Sequence, residues 1–448
     1  MANMRSERYR FNEVTGLKLI FRAFRYRNYR LFFGGQVISL MGTWMQRMAL
    51  SWLVYRMTNS AFLLGMVEFC GQIPIFLLAP FAGVVIDKWS RHRTLVGTQI
   101  LAMIQASVLT VLVLTGTIKI WQIIFLRAFL GFVDAFDMPA RQSFVVEMVE
   151  KKENLGNAIA LNSSMVNAAR LLGPSIAGIV IVAVGEGMCF LINAISYLAV
   201  IASLLSMRII PRVTKAKSND VFQGLKEGFV YVFGFAPIKS IILLLALFSV
   251  MGFPYNILMP IFAKDVLHGG ADTLGFLMGA SGIGALVGAL YLASRKSVLG
   301  LGKIIPLAAS IFGIGLVALA LSRVLLFSMA LMLMIGFGMM VQMASSNTVL
   351  QTIVDDDKRG RVMSFYAMAL RGMVPFGSLL AGSLASKIGA PHTLLIGGSC
   401  CILGSLMFAK KLSTLREMIR PIYVRIGVIP EVAKGIQTAT EFTAPRED

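Results

Sequence analysis

The fold is decided by one short charged stretch between two long apolar runs, Gly83-Val84-Val85-Ile86-Asp87-Lys88-Trp89-Ser90-Arg91-His92-Arg93. Apolar residues precede this stretch from about residue 61 and follow it from Thr94. Water and helix ends can solvate a carboxylate beside three cations at a membrane surface, but nothing solvates it in hydrocarbon. The stretch therefore marks the edge of a bilayer.

The composition predicts a polytopic, all-α membrane protein. Of the 448 residues, 57% are hydrophobic and only 14% are charged, whereas a soluble domain has roughly 45–50% apolar and about 25% charged residues. The net charge of +20 would suggest nucleic acid as a partner of a soluble protein. In a membrane protein the question is which side of the bilayer holds the Lys and Arg residues.

Twelve apolar runs are long enough to span about 30 Å of hydrocarbon at about 1.5 Å per residue. They lie near residues 29–57, 61–86, 95–117, 121–146, 157–184, 187–207, 239–263, 273–294, 303–322, 324–354, 362–386 and 391–411. This pattern predicts a cytoplasmic N-terminal segment (1–28), a six-helix half (29–207), a cytoplasmic linker with an interfacial helix (208–238), a second six-helix half (239–411) and a cytoplasmic tail (412–448).

The basic residues predict the orientation. With the N-terminus inside, 33 Lys or Arg residues fall in inner segments and five in outer loops. This distribution follows the positive-inside rule at every loop. We therefore expect a multi-pass protein of the cell inner (plasma) membrane with both termini in the cytoplasm. The basic charge then attracts anionic lipids rather than nucleic acid.

The two halves share short sequence motifs. Arg170-Leu171-Leu172-Gly173-Pro174 is matched by Arg371-Gly372-Met373-Val374-Pro375, and Leu64-Gly65 is matched by Leu274-Gly275. Both matches have nearly the same offset along the chain. Two related six-helix repeats are a transporter architecture in which the substrate site lies between the halves, near mid-membrane.

The opening stretch resembles the loop signature of the major facilitator superfamily. The matching residues are Gly83, Asp87, Lys88, Arg91 and Arg93, while Ser90 replaces a glycine and His92 a basic residue. The resemblance implies the twelve-helix major facilitator fold and a gating role for these residues. It also implies that Asp87 accepts hydrogen bonds near Gly360 and Arg361, and that Arg91 pairs with Asp137 or Glu147.

Seven charged residues lie within or near the ends of apolar runs: Arg47, Glu68, Arg127, Asp134, Asp137, Arg170 and Arg371. Each unpaired charge there costs about 2.5–3.5 kcal/mol, so each must find a partner or water. Arg127 and Asp134 are two helical turns apart and share a face. Either they are structural partners of other helices or they belong to a coupling site. We expect Glu68 to snorkel or to be hydrogen-bonded near its helix end.

Two further stretches resemble motifs of drug antiporters. Leu126-Arg127-Ala128-Phe129-Leu130-Gly131 is similar to the fourth-helix motif of proton-coupled antiporters, with Leu130 in place of a polar residue. Gly173-Pro174-Ser175-Ile176-Ala177-Gly178 is similar to the exporter motif, with Arg170 just before it. Ordinary tight helix packing is the alternative explanation for these small residues. In the methionine-rich tenth run, Gln342 and Asn347 are candidate cavity groups.

The branch of the superfamily is indicated by Leu40-Met41-Gly42-Thr43-Trp44-Met45-Gln46-Arg47-Met48-Ala49 and by Asp137-Met138-Pro139-Ala140-Arg141-Gln142. These stretches resemble the bacterial branch that contains the enterobactin exporter and macrolide efflux proteins. The resemblance implies a monomeric secondary transporter that exports a hydrophobic or amphipathic small molecule, such as a drug, siderophore or metabolite, by alternating access in exchange for protons. A lipid flippase or uptake permease of the same fold is the alternative.

The sequence disfavours other classes of protein. It contains no Gly-x-x-x-x-Gly-Lys-Ser/Thr phosphate loop, which excludes direct use of ATP through that motif. Cysteine and histidine residues are scattered over separate segments, so we expect no metal, no cofactor and no enzymatic centre. They are Cys70, Cys189, Cys400, Cys401, His92, His268 and His392.

We predict that Asp87→Asn biases the transporter towards its inward-facing state and slows turnover while substrate binding survives. A carboxylate at a helix N-terminus contributes roughly 0.3–2 kcal/mol, and about 1.4 kcal/mol is a tenfold change in population. The measurements are the accessibility of a cysteine placed at the inner end, and substrate affinity. Unchanged accessibility with normal transport would leave Asp87 with a role in topology alone.

Overall fold

The computed structural model describes residues 22–149, 154–208, 221–295, 297–355 and 358–426, with the backbone alone for residues 79–80, 83–85, 87–88 and 221–225. All regular secondary structure in these ranges is helical. The predicted N-terminal segment up to residue 21, residues 209–220 of the linker and the tail from residue 427 lie outside the described part. The all-α polytopic fold is confirmed.

The helices follow the predicted apolar runs closely. The first half contains α1 (Arg27–Thr58), α2 (Ala61–Lys88), α3 (Arg91–Leu114), α4 (Ile120–Met148), α5 (Leu155–Val184) and α6 (Glu186–Leu205). After α7 (Val221–Gly234), the second half contains α8 (Ala236–Val266), α9 (Ala271–Ala293), α10 (Leu301–Leu321), α11 (Leu325–Ile353), α12 (Arg359–Ile388) and α13 (Ala390–Lys410). A last helix, α14, covers Leu412–Arg425.

Ten of the described helices are long and apolar enough to cross a membrane: α2, α3, α5, α6 and α8 to α13. Helices α1 and α4 contain 32 and 29 residues, which is also sufficient length. They are less apolar because they carry Arg47, Arg127, Asp134 and Asp137. The total of twelve spans therefore stays a prediction that depends on these two helices.

The two halves meet through symmetric pairs of glycines. A Cβ on Gly65 in α2 would lie 3.0 Å from the Cα of Gly382 in α12. A Cβ on Gly275 in α9 would lie 3.2 Å from the Cα of Gly178 in α5. Both crossings lie at the end that holds the α1–α2 connection, here named the outer end because the positive-inside rule places it outside. The matched motifs Leu64-Gly65 and Leu274-Gly275 thus mark two equivalent crossings between the halves.

A second crossing is repeated within each half. Gly131 in α4 lies so close to α2 that a Cβ would overlap the carbonyl oxygen of Gly71. Gly336 in α11 lies equally close to the carbonyl oxygen of Ser281 in α9. Because α4 and α11 each contain 29 residues, an end-to-end alignment places Gly131 opposite Gly336. The repeat therefore extends to helices whose sequences show little similarity.

Two helices of the second half contain widened turns that touch one another. Helix α8 has π-helical segments at Phe248–Gly252 and Phe262–Val266, and α12 has one at Met368–Gly372. The hydroxyl of Ser249 donates to the carbonyl oxygen of Leu370 at 2.8 Å. Pro375 follows the widened turn in α12, where its ring cannot continue a regular hydrogen-bond ladder. This local distortion positions Arg371.

The amphipathic helices α7 and α14 flank the second half at the inner end. In α7, predicted as interfacial, Glu227 forms an ion pair of 2.8 Å with Arg361 of α12. Within the predicted cytoplasmic tail (412–448), α14 forms a further helix and buries Leu415. An apolar cavity of about 270 Å³ between α14 and the second half is lined in part by Ile241, Arg416 and Arg420.

We predict that Gly336→Ala lowers the thermal stability of the purified protein, because the added methyl group overlaps the Ser281 carbonyl oxygen. Overpacking of this kind typically costs about 1–3 kcal/mol. Gly97→Ala in α3 is the matched control, since a Cβ there has no neighbour within 4 Å. Equal melting temperatures for the two variants would contradict the close crossing of α9 and α11.

Candidate substrate and coupling site

Arg127 of α4 forms a buried ion pair with Glu68 of α2. Its Nη2 lies 3.0 Å from Glu68 Oε2, and its side chain is only 4% exposed. Glu68 also accepts a hydrogen bond of 2.8 Å from Gln72 Nε2. Gly71 makes room for the pair, because a Cβ there would lie 2.6 Å from Arg127 Nε. Glu68 is thus hydrogen-bonded, as expected, and its charge is also paired.

Asp137 joins α4 to α3 at a second buried site. Its Oδ1 accepts hydrogen bonds from Thr98 Oγ1 at 2.9 Å and Gln99 Nε2 at 2.7 Å. Its Oδ2 pairs with Arg141, one turn further along α4. Only 4% of Asp137 is exposed. This carboxylate is therefore occupied by neighbours and holds α3 against α4.

The charged loop between α2 and α3 has several partners in the first half. Arg91 Nη1 lies 2.6 Å from Glu147 Oε1. Of the two expected partners, Asp137 and Glu147, Arg91 therefore pairs with Glu147. Ser90 caps α3 through its hydroxyl, and His92 Nε2 lies 2.8 Å from the Leu204 carbonyl oxygen. Arg93 is exposed. The surroundings of Gly83 and the side chains of Asp87 and Lys88 lie outside the described part, so the gating role stays a prediction.

Asp134 differs from Asp137, the buried carboxylate of α4. It is half-buried, and within the described residues its carboxylate forms no hydrogen bond or ion pair. Charges close enough to act on it are Arg47, Arg127, Arg141 and Asp137. Asp134 is close enough to Arg127 to interact with it, which agrees with the shared face of α4. The ion-pair partner of Arg127, however, is Glu68. Asp134 is left as the acid able to gain or lose a proton without breaking a contact.

Three arginines from three helices lie near one another, and Arg47 is the one close enough to act electrostatically on Asp134, Arg170 and Arg371. Arg47 of α1 and Arg170 of α5 lie over the same indole, with their Cζ atoms 5.1 and 5.9 Å from the Trp44 ring centroid. Arg170 Nη2 also lies 3.5 Å from Met339 Sδ in α11. Arg371 of α12 contacts Met138 Sδ of α4 across the two halves. No described carboxylate lies within ion-pair distance of these three guanidinium groups.

The exporter-like motif positions Trp44. A Cβ on Gly173 would lie 2.5 Å from the Trp44 Cβ, so only glycine lets the indole approach α5 this closely. Pro174 is buried beside it, and Gly178 forms the outer crossing with Gly275. The motif thus combines tight packing with the placement of an aromatic ring. In the sequence, Trp44 is marked only by its place in the Leu40–Ala49 stretch that indicates the branch of the superfamily, three residues before Arg47.

The polar end of α11 occupies a different environment. Gln342 is fully buried, and both amide atoms lack a hydrogen-bond partner among the described residues. Asn347 is half-buried and accepts a hydrogen bond of 3.0 Å from Gln351. In the end-to-end alignment, Gln342 lies opposite Asp137, and Met332 and Met339 lie opposite Arg127 and Asp134. The second half replaces the ionic site with methionine and amide groups.

Sequence reasoning missed a buried polar chain beside this site. Asn193 Nδ2 donates to Gln46 Oε1 at 2.7 Å, and Gln46 Nε2 donates to Gln105 Oε1 at 3.0 Å. The chain links α6, α1 and α3 one residue from Arg47. The sequence signal for this chain of hydrogen bonds was the presence of single amide side chains, Gln46, Gln105 and Asn193, in apolar runs. These hydrogen bonds hold α1 in the orientation that directs Arg47 and Trp44 between the halves.

Two repeated halves around an ionic site near the middle of their helices define a transporter of the major facilitator class. Residues 20–420 match the family described as "Transmembrane secretion effector" in that superfamily. The chain belongs to this family, and it is therefore an efflux-type membrane transporter rather than an enzyme.

Relatives support the same class. The chain is 29% identical over 381 residues to the staphyloferrin A transporter of Staphylococcus aureus (strain NCTC 8325 / PS 47), a match that covers 85% of this chain and 95% of that protein. It is 23% identical over 396 residues to macrolide efflux protein A of Streptococcus pyogenes, covering 84% and 95%. A crystal structure of a POT family transporter in complex with a thioalcohol-conjugated peptide has the same fold, with a TM-score of 0.69, 11% identity and coverage of 87% and 96%.

We predict that Glu68→Met strongly lowers the thermal stability of the purified protein, because it leaves the buried Arg127 charge unpaired. Breaking a buried pair in this way costs about 3–5 kcal/mol. The double variant Glu68→Met/Arg127→Met should recover most of the loss, since the second half has Met278 and Met332 at the corresponding positions. A double variant as unstable as Glu68→Met would contradict the pairing.

Transport by the double variant decides between the two roles left open for Arg127. Normal export by the double variant indicates a structural pair. Loss of export from a stable, correctly inserted protein indicates that the pair takes part in coupling.

Proposed function

We propose that this protein exports a hydrophobic or amphipathic small molecule, such as a siderophore or a drug, across the inner membrane by alternating access in exchange for protons. The observation that carries this proposal is that Arg47 of α1 lies close enough to act electrostatically on Asp134 of α4, Arg170 of α5 and Arg371 of α12, which links four helices from both halves. Charged groups near the middle of a spanning bundle are functional candidates by default, because they are costly to bury. The family assignment and the relatives named above support export.

Contacts between the halves support an inward-facing arrangement. At the outer end, the Tyr55 hydroxyl donates to Asp265, and Lys264 Nζ lies 2.7 Å from Asn59 Oδ1. The crossings of Gly65 with Gly382 and of Gly178 with Gly275 lie at the same end. These contacts close the outer end around the central site, so release to that side requires them to separate. Separation and closure of small-residue crossings is a simple route to alternating access.

Asp134 is the proposed proton carrier. A carboxylate near several charges in a low-dielectric site can change protonation when its access to water changes. The groups that face it carry three positive charges, on Arg47, Arg127 and Arg141, and one negative charge, on Asp137. Arg127 and Arg141 are held by Glu68 and Asp137. Arg47 is therefore the cation free to respond when Asp134 gains or loses its proton.

Anionic lipids are the proposed partners of the inner end. Arg416 and Arg420 line the apolar cavity beneath α14, a combination that suits an acyl chain and a negatively charged headgroup. The proposed orientation, with both termini in the cytoplasm, places α14 at the leaflet richest in such lipids.

We predict that Asp134→Asn abolishes gradient-driven export while leaving protein level and membrane insertion normal. The amide cannot cycle a proton, so the coupling step is lost. The measurement is accumulation of an exported dye in cells with and without a protonophore. Glu417→Gln, at an exposed position of α14, is the matched control. Full protonophore-sensitive export by Asp134→Asn would sink the proton role, and accumulation that rises with expression of the wild-type protein would indicate uptake instead.

A further inference from the structure

We infer that the exported molecule carries an anionic group, which binds to Arg47, Arg170 and Arg371, and an apolar part that packs on Trp44. This inference rests on the proposed export function and names the chemical class of its substrate. It starts from the charges around the central space. The Arg127–Glu68 and Arg141–Asp137 pairs neutralise themselves. Arg47, Arg170 and Arg371 then remain without an ion-pair partner among the described residues. The unpaired carboxylate close enough to act on one of them is Asp134, beside Arg47, so the group has a net positive charge.

Arg47 repels both Arg170 and Arg371, and no described carboxylate lies within ion-pair distance of the three guanidinium groups. Arg47 is close enough to act electrostatically on both Arg170 and Arg371. The distances to the Trp44 ring place the Cζ atoms of Arg47 and Arg170 within about 11 Å of each other. Neighbouring like charges in a spanning bundle are unfavourable unless a counter-ion is bound. The arrangement is therefore suited to the loaded protein more than to the empty one.

The hydrogen-bond donors of these arginines are also largely unused. A guanidinium group has five N–H donors, yet the protein acceptors found for Arg170 and Arg371 are the Met339 and Met138 sulfur atoms. A thioether is a weak acceptor. Carboxylate, sulfonate and phosphate groups match the planar donor geometry of arginine, and such charge-assisted bonds are the strong ones. A neutral or cationic molecule would leave these donors to water, to which Arg47 and Arg371 are exposed.

The position of the arginines links binding to conformational change. Arg47 and Arg170 belong to the first half, whereas Arg371 belongs to the second and already reaches Met138 across the gap. An anion held by all three cancels their mutual repulsion and joins the halves near the middle of the spans. The half-buried indole of Trp44 lies between Arg47 and Arg170, so an apolar or aromatic portion of the same molecule can stack there. The site therefore fits an amphipathic anion.

A pair of matched probes tests this inference: anilinonaphthalene sulfonate, and phenylnaphthylamine, which is the same ring system without the sulfonate. Binding is measured by equilibrium dialysis of the full chain in nanodiscs of neutral lipid, with empty nanodiscs subtracted. We expect Arg170→Gln and Arg371→Gln each to weaken sulfonate binding by about tenfold or more, the loss of a charge-assisted hydrogen bond. Binding of phenylnaphthylamine should stay within about twofold, since it makes no such bond.

Lys387→Gln is the control, because it removes one positive charge at an exposed position of α12 near the outer end. It should bind both probes as the wild-type protein does. Thermal unfolding without ligand gives a second readout. Arg170→Gln and Arg371→Gln should melt at the wild-type temperature or above it, because they relieve repulsion, and the sulfonate should stabilise them less. Lower melting temperatures in both variants would assign the arginines a structural role and overturn the inference.

Other outcomes separate this inference from the proposed function. Absence of sulfonate binding by the wild-type protein, or equal losses for both probes in the arginine variants, overturns the anion site. Cells that export phenylnaphthylamine in a protein-dependent manner, with sulfonate export unchanged by Arg170→Gln and Arg371→Gln, leave export standing and overturn the anion site alone. Cells in which neither probe is exported by the wild-type protein count against the proposed function itself.

Discussion

A charge surrounded by hydrocarbon needs either an opposite charge or water, and this constraint organises the whole bundle. The Arg127–Glu68 and Arg141–Asp137 pairs satisfy it within the first half. The first pair joins α4 to α2, and the hydrogen bonds that Asp137 accepts from Thr98 and Gln99 join α4 to α3. The loop between α2 and α3 satisfies it at the membrane edge, where Arg91 pairs with Glu147. Arg47 and Arg170, which have no ion-pair partner among the described residues, lie over the Trp44 ring. The proposed site therefore lies where charged side chains have no ion-pair partner in the described part of the protein.

Much of the fold could be predicted from the sequence because hydrophobic length and charge placement act locally. The helix positions and the two repeats depend on patterns within each run, and they were predicted closely. The partner of Glu68 depends on which face of α4 meets α2, and periodicity indicates a face but no neighbour. Helix α14 was missed because its 14 residues are too few to span a membrane, although Leu415, Ile419 and Ile422 recur at helical spacing. The importance of Trp44 arises from two arginines that are distant from each other in sequence, so no local pattern reveals it.

The two halves share a backbone plan and differ in chemistry. Crossings at Gly131 and Gly336 set the same distance between helices in each half, yet Arg127 and Asp134 of α4 correspond to Met332 and Met339 of α11. Charged groups need fixed geometry, whereas thioether side chains adapt to the shape of what they contact. Helix α4 therefore presents charged groups with fixed geometry, whereas α11 presents flexible methionine side chains. A symmetric scaffold can therefore change its access while holding a polar group at one side.

The unpaired arginines also make the empty carrier an electrically charged object. When an anion occupies the site, its charge offsets theirs and the loaded protein reorients with little net movement of charge. After release the same rearrangement moves uncompensated positive charge through part of the transmembrane field. A voltage that is negative on the cytoplasmic side favours that return by up to about 2.3 kcal/mol per elementary charge for each 100 mV. In the proposed transport cycle, the membrane voltage thus acts on the return of the empty carrier and favours net transport in the outward direction.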